Sequence, residues 1–360
     1  MNSFSYALDR LQRFNLLVGE TPELKNVFIT KDFNFLQSFQ TAVFFELKYL
    51  YEKKSFKSDI IARELRDIEV SKAWLSHLLA LIVSFLALLK IIFTRRKVLV
   101  FSVDKISSKY KSDFRVEGIY EFLNKNKIKY GEIMHTILGG HFKKFLLKRK
   151  RLVLYLESID SLFKVLALFR FVKSLSAQSF VNNLDFSVFG HESEIFKSIL
   201  KKYVNMISLS QFRISFFKKV ISLTSIKILL TIDDTRDYNE LVCAARSKNI
   251  EVFAFQHGAF SKYTVGWIYC GYGRENIIKP DMLYVWGSYW KNELIRLGTY
   301  FDENEIGFGG DPKTLKDFKF EEKNKADDEF IWILMPYEIE APKNEVREYV
   351  YQILKCPSVK

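Results

Sequence analysis

The amino-acid sequence predicts an α/β fold made of two doubly wound domains that follow a helical region. From residue 97 onward, short apolar runs alternate with helical stretches, which is typical of parallel sheets covered on both faces. The alternation falls into two series with a boundary near residues 260–285. Before residue 97, apolar residues recur with helical spacing, as in "FQTAVFFELKYLYEKK". The predicted strands are residues 97–104, 150–158, 227–233, 250–258, 279–287, 305–312 and 330–337.

The length of the chain also favours more than one domain. Its 360 residues exceed what one compact core usually holds. We expect a helical N-terminal region at 1–96, a Rossmann-like domain at 97–275 and a partial Rossmann-like domain at 276–360. The second series has few strands and stops on the helix "KNEVREYVYQILK", so we expect the C-terminal domain to be truncated.

The charge balance points to an anionic partner. Lysine and arginine number 55 against 42 acidic residues, giving a net charge of +13 and a pI near 9.3. Such a balance suits nucleic acid, an acidic membrane surface or a phosphorylated substrate. The sequence contains no zinc-finger spacing, RNP sequence or helix-turn-helix with clustered base-reading residues, so nucleic acid is not expected as a partner.

Cysteine content and the N-terminal residues predict the compartment. Cys243, Cys270 and Cys356 are scattered and lack metal-ligand spacing, which favours a reducing compartment and argues against disulfides or a metal site. The first twenty residues, "MNSFSYALDRLQRFNLLVGE", carry charges where a signal peptide is apolar. We therefore expect a cytoplasmic protein.

One apolar segment raises the question of a membrane. Residues 74–93, "WLSHLLALIVSFLALLKIIF", are followed by the basic stretch "TRRK". Three interpretations stand: a helix packed on a soluble domain, an interfacial helix, or a membrane span. The predicted strand at 97–104 follows at once and favours the first. The basic clusters at 90–97 and 143–151 are either solvated faces or contacts with an anionic bilayer, which would make the protein peripheral on the inner face of the cytoplasmic membrane.

Candidate site residues are those at the carboxyl ends of the predicted strands. In open parallel sheets, ligands bind there, where loops present side chains and helix N-termini present N–H groups. The first such place is "TIDDTRDYNE". Asp234 could act as a general base and Arg236 could hold a phosphate or carboxylate; alternatively, one aspartate only caps the following helix.

The second place is "EVFAFQHG", where His257 and Gly258 end an apolar strand. A histidine suits general base work or a hydrogen bond to phosphate, and glycine allows close backbone approach to a ligand. A lone histidine with a purely structural role is the alternative.

Two further strand ends carry glycines. In "YVWGSYW", Gly287 and Ser288 stand between a strand and a helix, so that the helix N-terminus could bind an anion, unless Ser288 is only its N-cap. In "GFGGDP", a turn contains Gly309, Gly310 and Asp311, but this is not a dinucleotide-binding fingerprint because no helix follows directly.

Taken in order, these stretches resemble the central region of bacterial GT-B glycosyltransferases that build surface polysaccharides. The nearest groups are the capsular polysaccharide and polysialic acid transferases and the CDP-glycerol glycerophosphotransferases. The resemblance rests on "QHG" at 256–258, "D-x-x-x-x-W-G" at 281–287 and the turn at 309–312, and covers residues 226–312 best. The turn reads "GGDP" rather than a plain "G-x-P", and no His-Pro pair follows it.

This resemblance implies metal-independent transfer of a sugar or glycerophosphate from a nucleotide-activated donor, without a cofactor, to a glycan or lipid-linked acceptor. Asp234 would deprotonate the acceptor hydroxyl and His257 would face the donor phosphates or the acceptor. The donor phosphates would bind at positions that share a strand end or a helix N-terminus, with Arg236 as a further acceptor or phosphate contact: Gly258, Gly287, Ser288, Gly309, Gly310 and Asp311.

Two alternative functions remain at this stage. A sugar-nucleotide 2-epimerase shares the two-domain fold but needs more carboxylates and histidines in the cleft than His257 alone provides. A non-catalytic or truncated subunit of a polysaccharide assembly complex would account for the missing C-terminal motifs.

Overall fold

The computed structural model describes residues 2–55, 73–103, 114–135, 152–168, 181, 184–232, 236–271 and 276–310. All of them belong to one compact unit, Met1–Phe318. A second unit, Lys319–Lys360, and with it the predicted strand at 330–337, lies outside the described residues.

Most of the described residues before the first strand are helical, as the apolar spacing predicts. Helix α1 follows Asn2, whose side-chain oxygen accepts a hydrogen bond of 2.8 Å from the backbone N–H of Ser5. Helix α2 starts with Pro22, which lacks only an N–H group that would have no partner in the first turn. The four helices are α1 (Ser3–Glu20), α2 (Pro22–Phe28), α3 (Phe35–Ser55) and α4 (Ala73–Phe93).

The described strands form one seven-stranded, all-parallel sheet, which confirms the α/β class. The strands are β1 (Val98–Val103), β2 (Tyr130–His135), β3 (Leu154–Tyr155), β4 (Ile228–Thr231), β5 (Glu251–Phe255), β6 (Met282–Val285) and β7 (Ile306–Phe308). They are interleaved with α5 (Glu117–Lys125), α6 (Leu156–Leu168), α7 (Ser193–Ser222), α8 (Arg236–Arg246) and α9 (Ser288–Arg296). The order β3-β2-β1-β4-β5-β6-β7 reverses between β1 and β4, as in doubly wound folds.

Strand β2 has no counterpart among the predicted strands, because two residues interrupt its apolar pattern. A Cβ on Gly131 would lie 2.9 Å from Cγ1 of Ile91, so the glycine lets α4 pack directly on the strand. Glu132 is buried and accepts hydrogen bonds from the hydroxyls of Ser102, at 3.0 Å, and Tyr120, at 2.9 Å. These partners come from distant parts of the chain, and the sequence pattern alone does not reveal them.

Strand β3 is much shorter than the strand predicted at 150–158. Only Leu154 and Tyr155 pair with β2, and α6 begins at Leu156. The side chains of Leu156 and Ile159 are both buried at helical spacing, which explains why an apolar run continues past the end of the strand.

The sheet is continuous across the predicted domain boundary at 275 and 276. Strand β6 pairs with β5, with Ala254 opposite Leu283, and β7 pairs with β6, with Leu283 opposite Ile306. The two strands expected to open a second domain therefore extend the first sheet. A second Rossmann-like domain stays a prediction for residues outside the described part of the chain.

The N-terminal helices share the hydrophobic core of the sheet. Two buried amides of α3 bind backbone groups of the segment between β5 and β6. Gln37 donates to the carbonyl of Ile278 at 2.6 Å and accepts from its N–H at 2.7 Å, and Gln40 donates to the carbonyl of Val265. Because a buried peptide group needs a partner, these bonds fix the backbone at Val265 and Ile278 against α3.

Helix α4 lies against the sheet beside β2 and β3. Its inner face buries Ala80, Ser84, Ala87 and Ile91. Within the described ranges, the structure contains no helix that is both long and apolar enough to cross a membrane. The interpretation of residues 74–93 as a helix packed on the domain is thus the one that the structure supports for this inner face.

Candidate functional site

The carboxyl ends of β5, β6 and β7 place three of the predicted stretches side by side. All the strands are parallel, so their carboxyl ends lie at the same edge, and β6 is flanked by β5 and β7. The loop that begins at Gln256 therefore lies beside the loop that begins at Trp286, which in turn lies beside Gly309. The structure brings together the second, third and fourth places that the sequence singles out.

Gln256 makes four hydrogen bonds, of which three connect its loop to β6 or to the loop after β6 and one lies within its own loop. Its backbone N–H donates to the carbonyl of Tyr284 at 2.8 Å, and its side-chain oxygen accepts from the backbone N–H of Trp286 at 2.9 Å. Its side-chain nitrogen donates to the carbonyl of Gly258 at 2.8 Å, and its own carbonyl accepts from the indole nitrogen of Trp286 at 3.0 Å. Only 2% of Gln256 is exposed, so these bonds are protected from water and fix the spacing of the loops.

His257 follows directly and is half-buried, as is Gly258. The buried amide on one side of His257 holds the backbone, so the imidazole projects from a fixed point at the edge of the sheet. Such placement, a partly accessible titratable group on a rigid loop, is what general base work or phosphate recognition needs.

The glycines of the site fall into two classes. A Cβ added at Gly258 or Gly287 would meet nothing within 4 Å. Neither residue is left-handed: Gly287 has an extended φ of 172°, and Gly258 is absent from the residues with positive φ. The described part of the fold therefore gives no reason for glycine at these two positions, and close approach of a ligand to the backbone would be one.

The other two glycines have reasons within the protein. A Cβ at Gly309 would lie 2.8 Å from Cβ of Tyr284, a distance that real contacts do not show. Gly310 has a φ of +66°, in the left-handed region that favours glycine. The predicted role of Gly309 and Gly310 in phosphate binding stays a prediction, whereas their structural roles are visible.

Helix α9 presents an uncapped N-terminus to this edge. Gly287, not Ser288, is the N-cap residue, and no side chain bonds to the first-turn N–H groups. Ser288 is the first helical residue and is exposed, so its alternative role as the N-cap is wrong. The first turn holds no acidic residue, which leaves the partial positive charge of the helix end available to an anion.

An aromatic group that the sequence did not point to lies beside this helix end. Trp290 is perpendicular to Trp286 at a centroid distance of 5.8 Å and to Tyr289 at 5.0 Å, and it contacts Phe260 at 6.1 Å. Tyr289 is 68% exposed in the first turn of α9. An exposed aromatic ring next to an anion-binding end offers a stacking surface for a base. The signal in the sequence is "WGSYW", in which Trp286 belongs to the motif at 281–287, whereas no role is predicted for Tyr289 or Trp290.

The structure does not describe the side chains of the remaining predicted site residues. Asp234 and Asp311 lie outside the described residues. Arg236 is the first residue of α8, at the same edge of the sheet as His257, but its side chain is not among the described groups. Among the described residues no group of three metal-ligating side chains occurs.

Two of the cysteines, Cys243 and Cys270, are described, and both are free and buried. Burial raises the pKa of Cys243 to about 11 and that of Cys270 to about 12, so both are held as neutral thiols near neutral pH. Cys243 donates to the carbonyl of Asp32 at 3.4 Å.

Two surface cavities lined by described residues contain none of the predicted site residues. One of about 410 Å³ is lined by residues such as Lys31, Arg246 and Ile278, and one of about 350 Å³ by residues such as Tyr269 and Asp302. Both include residues that precede β6 or β7 and thus belong to the amino-terminal edge. We place the candidate site at the carboxyl edge because helix N-termini and the open glycines lie there.

Comparison with known proteins adds no name to this arrangement. No protein-family model matches the chain, and no curated protein matches it.

Proposed function

We propose that this protein is a glycosyltransferase that moves a sugar or glycerophosphate from a nucleotide-activated donor to a surface-polysaccharide acceptor. The observation that carries the proposal is the pairing of two loops by Gln256. That pairing lines one surface with His257, two glycines that the fold does not require and the uncapped end of α9. The resemblance in sequence to bacterial GT-B transferases of capsule and lipopolysaccharide synthesis supports the same function.

In this proposal the donor diphosphate lies against Gly258 and Gly287, whose missing side chains let phosphate oxygens reach the backbone. The N–H groups at Ser288 donate to the phosphate that leaves, and the helix end offsets its growing negative charge. The ring of Tyr289 stacks on the base. Each of these roles uses a group that is exposed or half-exposed at this edge.

The chemical step transfers one proton and exchanges one bond. Asp234 takes the proton of the acceptor hydroxyl, and the acceptor oxygen attacks the anomeric carbon of the sugar, or phosphorus when glycerophosphate is transferred. The bond to the nucleotide phosphate breaks, and the nucleotide leaves with the electron pair. His257 hydrogen-bonds the donor phosphate or the acceptor, Arg236 contributes a positive charge, and no metal is required.

The experiment is a thermal-shift panel of CMP, CDP, UDP and GDP, each compared with its nucleoside, followed by an assay for nucleotide release from the corresponding activated sugars. At a hundred times Kd, a ligand stabilises the folded state by about 2.7 kcal/mol, which raises the melting temperature by a few degrees. We expect one nucleotide to raise it and its nucleoside not to. If no nucleotide changes the melting temperature, the proposal fails. Binding without release of nucleotide from any donor would instead support a non-catalytic subunit.

A further inference from the structure

Helix α4 has an exposed apolar face opposite the face that packs on the sheet. The outer residues recur at helical spacing along one side: Ile82 is 51% exposed, Phe85 59%, Leu86 47% and Phe93 77%. Exposed apolar residues are common singly, but a continuous stripe of large ones marks an interaction surface. We call this stripe the outer face of α4.

Helix α4 is largely apolar on both faces and has a polar residue on the inner one. Its buried face contains Ser84, whose hydroxyl donates to Ser158 at 2.9 Å and accepts from the N–H of Tyr155 at 3.0 Å. A surface helix of a globular protein normally turns its polar residues outward. Here a polar residue is satisfied inside, and the outward positions are apolar.

The charged residues on α4 and directly after its end are all positive. Lys90 is exposed at the edge of the stripe, and Arg95 and Lys97 are exposed just beyond the end of the helix. Residues 73–97 contain no aspartate or glutamate. The neighbouring helix α6, which is joined to α4 through Ser84 and Ser158, exposes Leu162 and Val165 as well.

We propose that the outer face of α4 docks on an anionic lipid bilayer. The helix lies parallel to the surface with its apolar residues in the boundary between headgroups and acyl chains. Lys90 extends along the helix so that its ammonium group reaches the headgroups, and Arg95 and Lys97 contact lipid phosphates. Pairing of two copies through this face would bring like charges together, which disfavours a second copy as the occupant. This docking does not depend on the proposed transferase activity.

The test is flotation of the full chain with phosphatidylcholine vesicles that contain or lack phosphatidylglycerol. The outer-face variant is Ile82→Ser with Phe85→Ser and Phe93→Ser. The control variant is Phe45→Ser with Phe122→Ser and Leu223→Ser, three residues that are 54%, 60% and 65% exposed elsewhere. We expect the wild type and the control to bind anionic vesicles and the outer-face variant to bind at least about tenfold less. Replacing Lys90 and Lys97 by glutamine should lower binding roughly fivefold per cation.

A second measurement tests the docking without removing apolar residues. Phe85→Trp should gain fluorescence quenching by brominated lipids in anionic vesicles, and Phe122→Trp, on α5, should not. Absence of wild-type binding, equal binding by the outer-face variant, or equal quenching of the two tryptophans would overturn the proposal. A dimer that dissociates in the outer-face variant, with no vesicle binding, would identify a second copy as the occupant and would overturn it too.

Discussion

The loops after β6 and β7 follow neighbouring strands at the same edge of the sheet, and both contain glycine within their first two residues. After β7, Gly309 avoids a collision with Tyr284, and Gly310 adopts a left-handed conformation. After β6, Gly287 has open space where a side chain would be and an extended backbone. The fold requires glycine at positions 309 and 310. The described structure shows no such requirement at Gly287 or at its counterpart Gly258 after β5.

This difference separates stability from binding at one edge of a single sheet. Substitutions after β7 should unfold the protein before they affect a ligand. Substitutions after β5 and β6 should leave the fold intact and affect only what binds there. Measuring stability and ligand binding separately for each variant tests this difference.

The largest effect is expected for His257→Ala. General acid–base and phosphate contacts of a histidine contribute about 10²–10⁴-fold to a rate, so transfer should fall by about a thousandfold. The free energy of unfolding should change by less than about 0.5 kcal/mol, because the side chain is only half-buried. Assays of transfer and of urea unfolding check both points. The control is His191→Ala, at an exposed histidine elsewhere, and an unchanged transfer rate in His257→Ala would remove the role assigned to it.

Gln256→Leu should lower both the stability of the fold and nucleotide binding, because Gln256 connects the loops after β5 and β6. The change leaves the backbone N–H of Trp286 and the carbonyl of Gly258 without their side-chain partners. An unpaired buried group costs about 1–3 kcal/mol, so the free energy of unfolding should drop by about 3 kcal/mol, and nucleotide binding should be lost. Urea unfolding measures the first and calorimetric titration the second. Gln211→Leu, at an exposed position of α7, should change neither. A stable Gln256→Leu variant that still binds nucleotide would show that the loops do not need this connection.

Gly309→Ala should lower stability with little direct effect on the ligand. The new Cβ would stand 2.8 Å from Cβ of Tyr284, so the strand or the ring must shift, at a cost of about 2 kcal/mol. Urea unfolding at constant pH measures the change. Gly19→Ala, in α1 and with no atom within 4 Å of the new Cβ, serves as the control and should not destabilise the protein. If both variants are equally stable, the structural reason given for Gly309 is wrong.

The sequence predicted candidate positions at strand ends, but not why each residue is there. An apolar run that ends near a glycine was enough to single out His257 beside Gly258, and Gly287. The structural reason for Gly309 is its contact with Tyr284, which belongs to the neighbouring strand. The local sequence pattern does not reveal which strands pair with each other. Gln256 was likewise recognised only as part of a short motif, because its hydrogen bonds to Trp286 connect the ends of two different strands.

Similar limits apply to the fold. The alternation of strands and helices predicted the parallel sheet but not strand β2. The reasons for Gly131 and Glu132 within that strand are contacts with α4, β1 and α5, which lie elsewhere in the chain. The predicted boundary at 275 and 276 rests on the division of the strands and helices into two series, whereas β6 adds directly to β5. Whether consecutive strands share a sheet depends on the segment between them, here held by Gln37 and Gln40.

Gly258→Ala and Gly287→Ala should show the reverse of Gly309→Ala. A methyl group at either position meets no protein atom within 4 Å, so the free energy of unfolding should change by less than about 1 kcal/mol. If phosphate oxygens approach the backbone there, the methyl group should raise the Kd for the nucleotide by about tenfold, equivalent to about 1.4 kcal/mol. Calorimetric titration measures this change, with Gly19→Ala as a matched open glycine away from the site. Unchanged affinity in both site variants would remove the contrast between the two loops.

The smallest effect is expected for Tyr289→Ala, which distinguishes binding of the base from binding of the phosphates. Stacking of a base on an aromatic ring is worth about 1–3 kcal/mol, and because Tyr289 is 68% exposed we expect about 1 kcal/mol, a fivefold rise in the Kd for the nucleotide. Inorganic pyrophosphate has no base, so its affinity should not change in Tyr289→Ala, whereas Gly287→Ala should weaken both ligands. Calorimetric titration of the two ligands against the two variants tests this. An equal loss for pyrophosphate in Tyr289→Ala would mean that the tyrosine supports the helix end rather than a base, because only a change in the phosphate site could affect a ligand that the ring does not touch.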